Sequence, residues 1–175
     1  MEQCFERKTL HYIYDTLSQG DTALADSYLE ESLKNYTYEK YQKALMQLRD
    51  YYLFFAFSEI VYLRARMLEA KAMYGIGKYD RALSVFMELT NTEENFTAET
   101  FNYIGKCHYY LKDMKKAMEY TAKAVEIDHS YYKAYHNMAV YYVKTGDIPG
   151  AIECWEQVLK LNKTHKKAAG NLKII

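Results

Sequence analysis

A displacement of 34 residues constrains this 175-residue chain more than any other feature of its sequence. Gly105, Ala117 and Ala124 recur as Ala139, Ala151 and Val158, each one period later. Phe101 is matched by Tyr135, Ile104 by Met138, and Ile127–Asp128 by Leu161–Asn162, so large apolar, small and turn positions all keep their places. One amphipathic helix cannot carry a pattern of that length. A pair of helices repeated in tandem can, because each hairpin buries its apolar face only against the next. An earlier, looser copy has Ala70, Gly77, Ala82 and Phe86 standing 35 residues before Gly105, Lys112, Ala117 and Thr121. The polar stretch Thr90–Thr97 is where the extra residue is expected to be taken up.

Apolar spacing predicts helices over 79–90, 98–111, 114–127, 131–144, 148–161 and 165–173. Thr97 and Asp147 are placed to cap, and Pro149 stands in a first turn, where its missing amide hydrogen costs little. Gly77 and Gly146 suit left-handed turns between helices. Lys112 holds the same place in the middle copy, which predicts either mild strain or a different turn there. Small residues at Ala70, Gly105 and Ala139, facing Ala82, Ala117 and Ala151, let paired helices approach closely. Further toward the N-terminus the pattern loosens. Helices are predicted over about Cys4–Leu17, Thr22–Leu33, 38–49 and 52–75, with a degenerate hairpin over residues 6–35.

Composition agrees with an all-helical chain: one proline and seven glycines leave few breakers. The formal net charge of zero gives no overall attraction to nucleic acid or an anionic surface. Lys160, Lys163, Lys166, Lys167 and Lys173 make the C-terminal end basic, but without the interleaved aromatics of a nucleic-acid surface. Nucleic acid is therefore not an expected partner. Cys4, Cys107 and Cys154 have no ligand-like spacing and read as reduced packing thiols. His11, His108, His129, His136 and His165 form no compact metal motif, and no nucleophile elbow, phosphate loop or dinucleotide fingerprint occurs. No catalytic residue, metal or cofactor is expected. Met1–Leu10 is charged at Glu2, Glu6, Arg7 and Lys8, unlike a secretory leader, and Tyr51–Tyr62 is interrupted by Ser58 and Glu59 and too short to span a bilayer. A cytoplasmic setting without membrane insertion is expected.

Ala98–Lys163 resembles two tetratricopeptide repeats. The signature positions are Phe101, Ile104, Gly105, Ala117 and Ala124, and then Tyr135, Met138, Ala139, Tyr142, Gly146, Asp147, Ala151, Trp155 and Val158. Departures are His129 and Lys163 where proline is usual between repeats, Arg66 in place of a large apolar residue, and His108 where tyrosine is common. The resemblance implies an all-α fold: a right-handed superhelix of stacked helical hairpins. It divides the chain into a divergent helical region at 1–62, a repeat-like segment at 63–97, repeats at 98–131 and 132–165, and the start of a capping helix or further repeat at 166–175. It also implies that the first helix of each hairpin lines a concave face. By those positions the groove residues would be Arg64, Met67, Lys71 and Tyr74; Glu99, Asn102, Lys106 and Tyr109; and Lys133, His136, Val140 and Val143.

Such a face implies a non-enzymatic module that holds a peptide or helical segment of a protein partner. Tetratricopeptide proteins that clamp a chaperone's terminal carboxylate present a lysine and asparagines at fixed places. Met67 with Lys71, Asn102 with Lys106, and His136 with Val140 do not reproduce that set. Two other functions fit the same residues. One is a self-associating scaffold that uses the aromatic stretch Tyr51–Phe57 to form a homo-oligomer. The other is the sensor or regulatory part of a larger protein.

Overall fold

The computed structural model describes residues 59–174, and every regular element among them is helical. Expectations for the helices before Glu59, for the hairpin at 6–35 and for Tyr51–Phe57 lie outside the described residues. The chain divides into two compact units between Lys78 and Tyr79.

In the first unit, α1 runs from Glu59 to Gly75. Leu68, Ala70 and Ala72 are buried. Arg66, the charged residue at an expected apolar position, pairs with Glu69 one turn on, at 2.6 Å. That is a local solution on the helix surface, worth a few tenths of a kcal/mol.

The second unit contains α2 (Tyr79–Leu89), α3 (Ala98–Tyr110), α4 (Met114–Ile127), α5 (Tyr132–Thr145), α6 (Ile148–Leu161) and α7 (Lys166–Leu172). Helices α3 and α4 pack as one hairpin and α5 and α6 as the next. α2 lies on α3, α4 on α5 and α7 on α6, and α3 also touches α5 directly. Each helix thus finds its apolar partner within its own hairpin or the adjacent one. The sequence-predicted bounds agree with these helices to within a residue or two, the usual uncertainty of a helix end.

Helix ends follow from their capping residues. Thr97, Asp113 and Asp147 each accept a hydrogen bond from the amide three residues on, at the starts of α3, α4 and α6. Three turns share one backbone geometry: Gly77, Lys112 and Gly146 have φ of 80°, 68° and 86°. In each, the next amide donates to a carbonyl five residues back: Lys78 to Met73, Asp113 to His108 and Asp147 to Tyr142. This is the left-handed close that glycine makes easily. Lys112 takes it without glycine's freedom, so the mild-strain alternative is the one realised. Lys112→Gly is expected to stabilise the protein by about 1 kcal/mol, the left-handed penalty less the added freedom of the unfolded chain. Chemical denaturation of both proteins measures it.

The extra residue between the first two copies has a visible origin. α2 stops at Leu89, and a 3-10 turn over Glu93–Asn95 lies before Thr97, whereas α4 continues to Ile127 and only residues 128–131 precede α5. Thr92 fastens the turn by donating to the Leu89 carbonyl at 2.9 Å and accepting from Asn95 at 3.1 Å. Beyond it Phe96 is exposed but edges onto Phe101 with centroids 4.9 Å apart, and Lys123 lies over both rings.

Close approach of α3 and α4 depends on Gly105. A methyl group there would stand 2.2 Å from Thr121 Oγ1 and 3.0 Å from the Ala117 carbonyl. In the next hairpin Ala139 and Ala151 are fully buried in a cluster with Cys154, Trp155, Val158 and Ala168. Tyr132, Tyr135, Met138, Tyr142 and Leu172 pack around it, so α7 closes the same core that α5 and α6 build.

Candidate functional site

Because α3 and α5 touch directly, the residues between their exposed sides share one cleft of about 180 Å³. It is lined by Glu99, Asn102, Tyr103 and Lys106 from α3, by Tyr131 before α5, by Lys133, His136 and Asn137 from α5, and by His165 before α7. Five of the groove residues named from sequence meet here: Glu99, Asn102, Lys106, Lys133 and His136. Tyr103, Tyr131, Asn137 and His165 join them without having been expected.

The floor of the cleft is a side-chain amide bridge. Asn137 donates from Nδ2 to Asn102 Oδ1 at 2.7 Å, and Asn102 is only 3% exposed. A buried amide is costly unless paired, so this bond fixes the register of α3 against α5. Burial holds the Tyr131 hydroxyl well above its ordinary range, with Glu99 adding to the effect and a hydrogen bond to Asn102 opposing it. Lys106 lies over the Tyr103 ring, its Nζ 4.2 Å from the centroid, and Lys133 stands 6.0 Å from that of Tyr131. The Lys106 ammonium thus rests on the face of an aromatic ring, and that of Lys133 lies at the outer limit of such a contact. Two ammonium groups face one carboxylate, Glu99, so the lining is cationic on balance.

The remaining sequence-named residues lie elsewhere. Tyr109 stacks on buried Tyr141 at 5.0 Å and edges onto Tyr110. Val140 and Val143 line a separate, mostly apolar cleft of about 270 Å³ with Lys144, Trp155, Asn171 and Ile174. Arg64, Met67, Lys71 and Tyr74 stand on α1, in the other unit.

Among the described residues, Cys107, Cys154 and His108 are buried packing groups. Burial pushes the Cys107 thiol up to about 12, despite the opposing charge of Lys106, and the Cys154 thiol up to about 11. Both are protonated packing groups at neutral pH. His108 is buried against Tyr120, rings stacked at 5.3 Å, and burial holds its pKa down although Asp113 lies 3.8 Å away. Among the described residues no group of three His, Cys, Asp or Glu side chains could hold a metal ion, and no helix is long and apolar enough to cross a membrane.

Tandem helical hairpins with a polar cleft along their first helices define an αα-repeat protein. Tetratricopeptide-repeat family models match residues 98–131 and 132–165. Those two segments are tetratricopeptide repeats. Solved structures of the same fold include YrrB, a tetratricopeptide protein described as having an unusual peptide-binding site. It is 17% identical, with 95% of this chain and 83% of that one covered at a TM-score of 0.68. PilF of Pseudomonas aeruginosa is 18% identical, with 86% and 66% covered and a TM-score of 0.70. The first tetratricopeptide domain of Spaghetti (RPAP3), bound to an HSP90 peptide, is 20% identical over 63% of this chain and 89% of that one, at a TM-score of 0.60. Identities this low speak for the fold alone. No curated protein matches the sequence significantly.

Proposed function

We propose that the chain is a non-enzymatic protein-interaction module whose α3–α5 cleft holds an extended, acidic segment of a partner protein. The observation that carries this reading is the cleft itself: a fixed amide floor, two aromatic-backed lysines at the rim and a single opposing carboxylate. An extended backbone offers carbonyl and amide groups to such a floor, and acidic side chains meet the lysines. The peptide-bound relative and the peptide-binding description of YrrB support the same use of the fold. A chaperone-tail clamp is set aside. Met67, His136 and Val140 are not the groups such a clamp uses.

Fluorescence anisotropy with labelled peptides of equal length, acidic, neutral and basic, tests the reading. The acidic peptides are expected to bind best and to weaken as salt rises. Reversing both rim charges with Lys106→Glu and Lys133→Glu is expected to weaken them about tenfold or more. Equal binding of all three peptide classes, or an unchanged affinity in the doubly reversed protein, would remove the cleft from the account.

A further inference from the structure

At the edge of the same unit, two imidazoles from different elements lie against each other. His136 on α5 and His165 have ring centroids 4.9 Å apart, and Tyr132 edges onto His165 at 5.6 Å. His165 is the N-cap of α7: its Nδ1 accepts the Ala168 amide at 3.1 Å. An Nδ1 that accepts a hydrogen bond carries no proton of its own. A proton added there would meet the Ala168 amide hydrogen, so the cap and a charged His165 exclude each other. His136 Nδ1 is buried with no hydrogen-bond partner. We infer that the His136–His165 pair is an acid-sensitive latch: it holds α7 on α6 while both rings are neutral and releases that helix when they gain protons.

The surroundings favour release. Lys167 sits close enough to act on His136, and the cleft contributes Lys106 and Lys133. Glu99, Tyr103 and Tyr131 line the same cleft, Tyr132 edges onto His165, and Lys166 follows His165 in the chain. Burial first, then His165 and Lys167, hold the pKa of His136 below its ordinary value of 6.5. An imidazole held down in the folded state takes up a proton on release. Stability therefore falls as pH drops through 6.5, and the loss is complete once pH is below the folded value. Releasing α7 lifts Ala168 and Leu172 from the cluster around Trp155 and leaves the rest of the α5–α6 hairpin in place. The two imidazoles line the same cleft, but the inference concerns α7 and its test uses the protein without any ligand.

The test is amide hydrogen exchange on the whole chain, with protection factors corrected for intrinsic rates, at about pH 7.5 and about pH 5.5. Amides of residues 168–172 are expected to lose about tenfold in protection, from the lost cap together with the charged pair, while those of 148–161 hold theirs. The chain's single tryptophan supplies a second readout, since Trp155 emission shifts to the red when α7 leaves. His165→Asn keeps a capping side chain that does not titrate, and most of the pH response is expected to vanish in it. His165→Ala is expected to show the low-pH protection already at neutral pH. Flat protection in the parent protein, or an undiminished loss in His165→Asn, overturns the latch. An equal loss in 148–161 also overturns it, because it would mean general acid unfolding to which buried His108 contributes.

Discussion

Trp155→Ala is expected to destabilise the Tyr79–Ile175 unit by about 3–5 kcal/mol, more than any other single truncation considered for it. The indole is only 3% exposed and sits where α5, α6 and α7 meet, against Ala139, Ala151, Val158 and Ala168. Its removal leaves a cavity in a closely packed cluster whose buried alanines are too short to fill it. Trp155 Nε1 is buried with no hydrogen-bond partner, a situation that costs about 1–3 kcal/mol in a native state. Trp155→Phe removes that orphan donor while keeping most of the ring, so its gain offsets much of its packing loss. Denaturant unfolding is expected to place Trp155→Phe within about 1 kcal/mol of the parent and Trp155→Ala far below both. Similar losses for the two variants would mean that the indole nitrogen makes a contact of real energetic weight.

Gly105→Ala is the second large effect, and here two terms compete. Alanine is the better helix former by about 1 kcal/mol, which alone would stabilise α3. Against that, the added methyl group meets Thr121 Oγ1 at 2.2 Å, the Ala117 carbonyl at 3.0 Å and the Thr121 amide at 3.2 Å. Two of the three are backbone atoms of α4, so relief requires the hairpin to open. Overpacking of this kind costs about 1–3 kcal/mol, and the net change is expected to be destabilising. Thr121→Ala in the same protein removes the nearest atom and is expected to recover part of the loss, giving a favourable coupling of about 1 kcal/mol in a double-mutant cycle. Additive effects would show that the tight contact between α3 and α4 lies elsewhere.

The repeat made most of this architecture readable in advance. Helix starts at Ala98, Met114 and Ile148 follow from capping residues whose action is local, and local effects are what sequence spacing records best. The Lys112 turn shows the same logic in reverse. Neighbouring copies demanded a left-handed residue, and the backbone supplied one although the side chain does not favour it. The cleft was readable only in part. The groove positions implied by the family resemblance pointed to Glu99, Asn102, Lys106, Lys133 and His136, but not to Asn137, one residue round the helix, or to Tyr103. Asn102 and Asn137 find each other across two helices, and no spacing rule connects them. His165 was hidden for a related reason: it belongs to the loop before a short last helix and reaches the cleft only because α7 folds back on α6. Tyr109, by contrast, fits the groove pattern yet stacks on Tyr141, where aromatic burial outweighs exposure.

The most direct measurement of the central claim is chemical-shift mapping of backbone amides during titration with an acidic peptide. The account predicts perturbations concentrated at Glu99, Asn102, Lys106, Lys133, His136 and Asn137, and their loss in the Lys106→Glu, Lys133→Glu protein. Perturbations confined to α4 and α6, or none anywhere on α3 and α5, would contradict it.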